Sequence, residues 1–470
     1  MHRPRRFFAS FVLVAALLQV LAACTAQAPV GGDPPRPIGD DPFGRGINFG
    51  NALEAPNEGD WGLTLLERHV TAVAEAGFQT VRLPVKWSAH AAASAPYTID
   101  PAFLARVDEV VGWILDHDLQ VIVNVHHYDE MATEPAAHVE RWLGIWRQLA
   151  ERYRDAPAAV AFELMNEPSG ALGDELWNTM VRQGLAIVRA QNPTRLVVVG
   201  PTQWNAIGAL PGFELPDDDH LVVTLHYYDP FYFTHQGAEW LDPPLPADRI
   251  WTGLQLAPTA GWQDWSWSTA RDYGSDLTVT YEGAWAGLYL HAAQPATGYT
   301  HLALRTSRAL DLFLRCSTDE EGAVPVRTEA GVELVVEASA CGGDAGVGNI
   351  MIQNATDGAQ PPFVLETLEL RGPDGALPLL VTEAEALEAA FDEALAWVEA
   401  NGGRPVYLGE FGAYGPGDLA SRVRWTRAVR DAAEERGFGW GYWEFGAGFG
   451  AYDQLAEAWR PELLEALIGD

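Results

Sequence analysis

The sequence is poor in positive charge. Lysine and arginine together number 30, against 64 aspartates and glutamates, and the formal net charge is −34. A chain with such an excess of negative charge repels phosphate backbones and other polyanions, which argues against nucleic acids and anionic polymers as partners. A neutral polysaccharide is compatible with this charge, although acidity also serves solubility alone.

Cysteine is scarce as well. The 470 residues contain three cysteines, and no spacing indicates a metal site, so we expect neither a metal nor another cofactor. Cys24 belongs to an N-terminal leader. Cys316 and Cys341 remain as an even pair, and in an exported protein such a pair favours a disulfide.

The N-terminus lacks an apolar run long enough for a confident membrane span. Basic residues precede the apolar stretch 7–21, which ends in Leu-Ala-Ala-Cys24 and resembles a bacterial lipobox. We therefore predict a lipoprotein signal peptide at 1–24, lipidation of Cys24 and a flexible tether at 25–41. The protein would then be a cell-surface or periplasmic lipoprotein, or be released outside the cell. An ordinary signal peptide that contains a cysteine is the alternative.

Aromatic residues, by contrast, are abundant. They make up 11% of the chain, and 18 of them are tryptophans. Flat apolar rings suit the stacking of sugar rings, but for any single tryptophan a place in the core is an equal alternative. At 470 residues the chain also exceeds the roughly 250 residues of one barrel domain, so a barrel with an added module is expected.

Short apolar runs alternate with amphipathic helical stretches over residues 42–252 and again over 377–470. The predicted strands are 46–49, 79–84, 119–125, 160–165, 195–200, 221–226, 405–409 and 439–444. Continuous valine, isoleucine and leucine runs suit parallel strands that are buried on both faces. The pattern predicts an α/β fold, an eight-stranded (β/α)8 TIM barrel, with a doubly wound sheet as the alternative.

Residues 253–376 break this rhythm. They lack helical periodicity and contain short strand-like runs separated by Gly, Asp and Pro turns, which predicts an inserted all-β, jelly-roll-like sandwich. Trp265 and Trp267 are two residues apart, so in a strand they share a face. With Trp262 they are candidates for glycan contact, since the segment resembles carbohydrate-binding modules. The alternative is a structural spacer with these tryptophans in its core.

Polar residues follow the ends of six predicted barrel strands. They are Arg82, His126 with His127, Asn166 with Glu167, His226 with Tyr228, Glu410, and Trp443 with Glu444. A single glutamate at a strand end is usually solvated or paired. Barrel enzymes carry their chemistry at the carboxyl ends of the strands, so six such ends on one mouth predict an active site.

The residue types at this mouth suit the cleavage of a glycosidic bond. That reaction needs two carboxyl groups, one protonated and one ionised, and Glu167 and Glu410 supply the pair. Arg82 would keep Glu410 ionised, and Tyr228 would donate a hydrogen bond to it. Asn166 would hold the sugar 2-hydroxyl, and the tryptophan of the eighth strand offers a flat face to the ring. Retention and inversion stay open, because sequence does not give the distance between the carboxylates.

Three segments carry a resemblance to a known family. They are 44–61, 226–240 and 442–453, and they resemble the thermophilic bacterial cellulase–mannanase branch of glycoside hydrolase family 5. The resemblance covers residues 42–252 and 378–470. It implies a retaining endo-acting hydrolase of β-1,4-linked glucan, such as cellulose, mixed-linkage glucan or xyloglucan. The alternatives are a β-mannanase or glucomannanase with the same mechanism and a non-catalytic glycan-binding surface lipoprotein.

The resemblance also implies roles for individual residues. Glu167 is expected to be the acid/base and Glu410 the nucleophile. The remaining active-site set is expected to be Arg82, His126, Asn166, His226, Tyr228 and Trp443. Sugar contacts are expected from Asn51, Glu54, His127, His235, Trp240 and Glu444. The expected partner is a β-glycan, the chain is expected to be a monomer, and the lipid anchor would join it to a membrane.

Overall fold

The structure, a computed structural model, describes residues 41–259, 261–317, 322–343 and 346–469. The predicted signal peptide, the lipidation site Cys24 and all but the last residue of the predicted tether lie outside the described residues. Within the part of the chain that is described, no helix combines the length and the apolar character needed to cross a membrane.

Strands and helices alternate through the first part of the chain. The strands are β1 (Arg45–Asn48), β2 (Thr80–Leu83), β3 (Gln120–Asn124), β4 (Val160–Glu163), β5 (Val197–Val199) and β6 (Leu221–Tyr227). The helices are α1 (Glu67–Ala76), α2 (Pro101–Asp116), α3 (Pro135–Arg152), α4 (Asp174–Gln191), α5 (Thr202–Asn205) and α6 (Phe231–Thr234). Helices α2 and α3 begin at proline, whose missing N–H costs nothing in a first helical turn.

An all-β segment follows α6. Its strands are β7 (Leu256–Pro258), β8 (Trp262–Asp264), β9 (Thr269–Tyr273), β10 (Leu277–Tyr281), β11 (Gly287–Ala296), β12 (His301–Thr306), β13 (Asp311–Arg315), β14 (Val324–Arg327), β15 (Glu333–Glu337), β16 (Val347–Asn354), β17 (Phe363–Gly372), β18 (Gly375–Pro378) and β19 (Leu380–Thr382). The six-stranded sheet has the order β15-β12-β17-β10-β9, with β18 beside β17, and the five-stranded sheet has the order β14-β13-β16-β11-β8. Their alternate apolar residues form one shared core, as in a sandwich.

The last part of the chain returns to the alternating pattern. Its elements are α7 (Glu383–Ala400), β20 (Val406–Phe411), α8 (Leu419–Glu435), β21 (Gly439–Tyr442), β22 (Tyr452–Asp453), β23 (Ala458–Trp459) and α9 (Pro461–Ile468). Eight parallel strands close into a barrel in the order β1-β2-β3-β4-β5-β6-β20-β21, and β21 pairs with β1. This closure confirms the predicted TIM barrel, because a doubly wound sheet would have two open edges.

The all-β segment leaves and re-enters the barrel at one place. Strand β7 pairs antiparallel with β19, so that Leu256 lies opposite Thr382. Helix α7 begins directly after this pairing. The Thr382 hydroxyl accepts a hydrogen bond from the Glu385 N–H at 3.2 Å, and the Glu385 carboxylate accepts one from the Thr382 N–H at 2.8 Å. This reciprocal cap starts the helix where the strand ends.

Two predictions for this segment have different outcomes. The disulfide is confirmed: Cys316 and Cys341 are bonded, with their Cα atoms 5.0 Å apart. The assignment of Trp262 to a glycan-binding surface is corrected, because its side chain is 8% exposed and packs in the sandwich core. Successive side chains of a strand alternate between its faces, so Trp262 faces inward while Trp265 and Trp267 face outward.

Candidate active site

The predicted catalytic side chains meet at the carboxyl ends of the barrel strands. Arg82 lies in β2, His226 in β6 and Glu410 in β20, and Glu167 lies four residues beyond the end of β4. Parallel strands of a closed barrel all end at the same rim. Side chains that are far apart in sequence therefore converge on one point.

The two predicted catalytic carboxylates are close together. One oxygen of Glu167, one oxygen of Glu410 and one ring nitrogen of His226 lie within 4.8 Å of one another. The His226 Nδ1 is 2.8 Å from Glu167 Oε1 and 3.7 Å from Glu410 Oε2. Inverting glycosidases separate their carboxyl groups by about 6.5–9.5 Å to admit a water, whereas retaining enzymes have about 5–5.5 Å. The spacing observed here suits direct attack by one carboxylate.

Arg82 organises the floor of the site and uses all its N–H donors. Its Nε and Nη2 donate to the two oxygens of Glu163 at 2.6 and 2.7 Å. Its Nη1 donates to Glu410 at 2.6 Å and to Asn48 at 2.8 Å, and its Nη2 also donates to Asn166 Oδ1 at 2.7 Å. Charge-assisted bonds in this fork geometry leave the guanidinium a single orientation. Arg82 therefore holds Glu410 in place.

The surroundings of the two carboxylates favour different protonation states. Burial raises the pKa of Glu167 to about 7. Burial also raises the pKa of Glu410, but His226 and Arg82 oppose that rise. Glu410 accepts hydrogen bonds from Arg82 at 2.6 Å and from the Tyr228 hydroxyl at 3.0 Å, which stabilise its ionised form. Burial thus favours the protonated form of Glu167, whereas the partners of Glu410 support its ionised form.

The buried histidines of the site are neutral. The amide nitrogen of Asn205 lies 3.3 Å from His226 Nε2 and donates to it, so the His226 Nδ1–H is the donor to Glu167. Burial lowers the pKa of His226 to about 4. Burial likewise holds the pKa of His126 well below its usual value, and Asn124 Nδ2 lies 3.1 Å from its Nδ1. These rings therefore act through hydrogen bonds and shape rather than positive charge.

Trp443 forms a flat wall beside the catalytic pair. Its ring stacks on His126, with centroids 5.6 Å apart and planes 7° from parallel. A Cβ at Gly50 would lie 2.9 Å from this ring, so the glycine allows the indole to approach the backbone. The wall has the form that stacking on a sugar ring requires.

Three of the predicted sugar contacts form one buried cluster. They are Asn51, Glu54 and Glu444. The Asn51 N–H donates to one Glu54 oxygen, and the Asn51 side chain interacts with Glu444. Burial raises the pKa of Glu54 to about 7 and that of Glu444 to about 8. Among the described residues Glu444 Oε2 has no hydrogen-bond partner, although it is buried. A buried oxygen without a partner can form a hydrogen bond with a hydroxyl of a ligand.

The other predicted sugar contacts lie on the rim with exposed tryptophans. His127 meets Trp61 edge to face at 5.5 Å, and His235 meets Trp240 at 6.3 Å. Trp204 follows β5 and is 60% exposed. Its backbone N–H donates a hydrogen bond to the carbonyl of Pro168, the residue after Glu167. The rim therefore presents aromatic faces at separate points of the mouth.

Sequence reasoning missed Glu163, Asn48, Asn205 and Trp204. Glu163 is fully buried within β4, and a charged residue inside an apolar strand run is a signal that could have identified it. Asn48 contacts Arg82 from the neighbouring strand β1, and Asn205 contacts His226 from α5. Neither contact is visible in a local sequence pattern. Trp204 could have been found as a tryptophan at a strand end.

Three described side chains could also hold a metal ion. They are Glu167, His226 and Glu410, each of which offers one ligand atom. The same side chains already take part in the hydrogen bonds that join His226 to Glu167, and Arg82 and Tyr228 to Glu410. The expectation that no cofactor is needed stays a prediction.

Comparison with known proteins places this site in a family. The family model described as Cellulase (glycosyl hydrolase family 5) matches residues 45–275. The structure of Thermotoga maritima Cel5A in complex with cellobiose is 31% identical, and the alignment covers 90% of this chain and 97% of that chain with a TM-score of 0.62. The chain belongs to glycosyl hydrolase family 5.

Curated relatives match this family 5 chain over part of their length. Endoglucanase H of Acetivibrio thermocellus is 43% identical over 202 residues, which cover 42% of this chain and 22% of that protein. Endoglucanase A of Ruminococcus albus is 31% identical over 222 residues, which cover 42% of this chain and 61% of that protein. The matched part thus spans less than two thirds of either relative.

Proposed function

We propose that the protein is a retaining endo-β-1,4-glucanase that acts by double displacement. The observation that carries this proposal is the approach of the Glu167 and Glu410 oxygens within 4.8 Å, since that spacing suits a nucleophile and an acid/base on one bond. Membership in family 5 and relatives named endoglucanase support the choice of reaction and substrate class.

In the first step, an oxygen of Glu410 attacks the anomeric carbon and the bond to the leaving oxygen breaks. Glu167 gives its proton to that oxygen, and a covalent glycosyl ester with Glu410 forms. In the second step, a water attacks the same carbon and loses its proton to Glu167, and Glu410 leaves as a carboxylate. Arg82 and Tyr228 stabilise that carboxylate at the start and at the end of the cycle.

A β-mannanase with the same mechanism is the second candidate. The observation that favours it is the likeness to Thermotoga maritima Cel5A, whose structure in complex with a "mannotriose substrate" is 31% identical with a TM-score of 0.62. The buried cluster of Asn51, Glu54 and Glu444 would meet the axial or equatorial hydroxyl in which the two sugars differ. A non-catalytic binding protein is disfavoured, because both carboxylates of the reaction are present.

The test uses a panel of soluble polysaccharides and two variants. Release of reducing ends from cellulose derivatives, mixed-linkage glucan, xyloglucan and glucomannan ranks the substrates. Glu410→Gln should abolish turnover while folding and glycan binding stay nearly intact. Glu167→Gln should impair poor leaving groups far more than an activated aryl glycoside, because the latter needs no proton. Appreciable activity of Glu410→Gln on the best polymer would refute the nucleophile assignment.

We further propose that the mature chain is a monomeric lipoprotein anchored through Cys24. The support is the Leu-Ala-Ala-Cys24 pattern behind a basic and apolar leader. One acyl chain holds a protein weakly, so stable attachment needs the several chains that bacterial lipoproteins carry. Mass spectrometry of the native N-terminus should find acylated Cys24, and Cys24→Ser should release the protein from membranes. An unmodified N-terminus at another residue contradicts the proposal.

A further inference from the structure

The exposed tryptophans of the described residues form two groups. Trp61, Trp204 and Trp240 lie around the barrel mouth, where the active site accounts for them. The other three belong to the inserted sandwich: Trp265 is 52% exposed, Trp267 37% and Trp285 55%. Water-facing apolar rings grouped in one place on a soluble domain usually mark a binding surface.

The three insert tryptophans share the outer face of the five-stranded sheet. Trp265 and Trp267 extend β8 along β11. The backbone N–H of Trp265 donates to the carbonyl of Tyr289 at 2.8 Å, and that of Trp267 donates to the carbonyl of Gly287 at 3.1 Å. Within β11 the leucines at 288 and 290 face the core, so Tyr289 between them faces outward with the tryptophans. The indole of Trp267 lies over Gly287, where a Cβ would come within 2.5 Å of it.

Trp285 joins this face from the turn before β11. Its ring stacks on Phe313 of β13, with planes 10° apart and centroids 6.0 Å apart. Its carbonyl accepts hydrogen bonds from Trp267 Nε1 and Gln353 Nε2, both at 2.9 Å. The backbone of Trp285 has φ +61°, a conformation that is costly for a bulky residue. Such a cost is typical of positions kept for function. The tryptophan face is defined here as Trp265, Trp267, Trp285, Tyr289 and Phe313.

Polar groups with set orientations lie beside the rings. The His291 ring stacks under Trp265 at 4.0 Å. Asn349 accepts hydrogen bonds from His291 Nδ1 at 2.8 Å and from the Tyr289 hydroxyl. The tryptophan face therefore combines supported aromatic planes with hydrogen-bonding side chains, which is what recognition of a sugar requires.

The opposite face of the sandwich is of a different kind. On the six-stranded sheet, Arg371 pairs with Glu333 at 2.7 Å, and Arg305 pairs with Glu366 at 3.2 Å. Half-buried threonines at 278 and 280 add further polar surface. One sheet thus meets water with ion pairs, whereas the other presents tryptophans. Solubility explains the first face and not the second.

We propose that the tryptophan face is a second glycan-binding site that holds a β-1,4-linked glucan chain without cleaving it. A β-1,4-glucan carries its hydroxyls equatorially and exposes flat apolar ring faces, which match indole planes that are half open to water. The formal charge of −34 disfavours a polyanionic ligand. The choice of glucan rests on the proposed endoglucanase function.

Such a site would act by raising the local concentration of polymer. The sandwich is joined to the barrel at one place, where β7 pairs with β19, so a chain bound on the insert stays tethered to the enzyme. A second binding event on the same polymer is then intramolecular and adds to the apparent affinity. Short oligosaccharides, which cannot engage both sites, gain nothing.

The test uses the full chain with Glu410→Gln, so that no polymer is cleaved. Retardation in native gels containing hydroxyethyl cellulose is measured for this parent and for the parent with Trp265→Ala and Trp285→Ala. Losing two stacking planes should weaken the apparent affinity on the order of tenfold. Val335→Ala, on the outer face of the six-stranded sheet, is the matched control and should leave retardation unchanged.

A second measurement separates this site from the cleft. In the active chain, Trp265→Ala with Trp285→Ala should keep the kcat/KM of the unaltered chain on an aryl cellobioside and lose rate on dilute hydroxyethyl cellulose. Failure to hydrolyse either substrate would refute the proposed function and not the binding site. Equal retardation of parent and double variant would overturn the binding site. So would a parent that dimerises in sedimentation while the double variant stays monomeric, because the face would then be a self-association surface.

Discussion

Glu163 fixes the position of Arg82 on the floor of the candidate active site. It takes two of the five N–H donors of Arg82, and the remaining donors reach Glu410, Asn48 and Asn166. Glu410 is thus oriented through the Arg82–Glu163 ion pair, which has no contact with solvent. Buried pairs of this kind are costly to break from one side.

We expect Glu163→Ala to destabilise the protein by about 3 kcal/mol or more, because the Arg82 charge stays buried with less compensation. Turnover should fall as well, since Arg82 would no longer be held against Glu410. Chemical denaturation and kcat on a short oligosaccharide measure the two effects. Glu214→Ala, which breaks an exposed pair with Arg182, is the control and should change neither. Full stability of Glu163→Ala would contradict the positioning role.

The pKa of Glu167 predicts the alkaline limit of activity. The acid must be protonated for the first step, and burial places its pKa at about 7. We therefore expect kcat/KM on an unactivated oligosaccharide to fall about tenfold per pH unit above that value. His226, with a pKa of about 4, is neutral throughout this range and cannot cause the fall.

The matching control is Glu167→Gln assayed on an activated aryl glycoside. The first step on such a glycoside needs no acid, so kcat/KM of this variant should no longer fall at alkaline pH. An unshifted alkaline limb in Glu167→Gln would assign the titration to another group.

At the scale of elements, the short segment α5 brings Trp204 beside Glu167, and its backbone is not helical throughout. Gln203, Trp204 and Asn205 are consecutive residues with φ between +53° and +61°. Non-glycine residues adopt this region at a cost, which tends to be retained at functional sites. Here the turn exposes Trp204 at the mouth and sends Asn205 inward to His226. Helical or strand periodicity could not have predicted this.

The disulfide of the insert is expected to stabilise that element alone. Cys316 and Cys341 are 25 positions apart, and closing such a loop contributes about 3 kcal/mol, mainly through the unfolded state. In Cys316→Ala with Cys341→Ala, calorimetry should find an earlier transition for the insert, while hydrolysis of short oligosaccharides is unchanged. Reduction of the unaltered protein is the control and should reproduce the shift. Loss of hydrolysis together with the disulfide would mean that insert and barrel unfold as one unit.

At the scale of the whole molecule, several buried glutamates make stability depend on pH. Burial raises the pKa of Glu54 and Glu383 to about 7 and that of Glu444 to about 8, from an ordinary value of 4.5. The native state therefore binds more protons than the unfolded chain between about pH 4.5 and 8. Stability contributed by these protons is fully present below pH 4.5 and is lost as the pH rises through 7 to 8. Repulsion within a chain of formal charge −34 acts in the same direction.

We therefore expect the melting temperature to fall as the pH rises from 5 to 8.5. Scanning calorimetry across this range measures the slope. Glu444→Gln removes one titrating group and should flatten the slope, whereas Glu214→Ala at the surface should not. A melting temperature that rises toward alkaline pH would contradict the assigned direction of these pKa values.

The sequence by itself determined the barrel, the inserted sandwich and the convergence of Glu167 and Glu410 on the barrel mouth. Alternating apolar runs and helical stretches are local consequences of backbone periodicity, and strand ends mark where Glu167 and Glu410 must lie. The tertiary structure alone decided the spacing of the carboxylates, the saturation of Arg82 by Glu163 and Asn48, and the face on which each insert tryptophan lies. Those features depend on contacts between residues far apart in the chain and on strand register, where a shift of one residue exchanges the two faces.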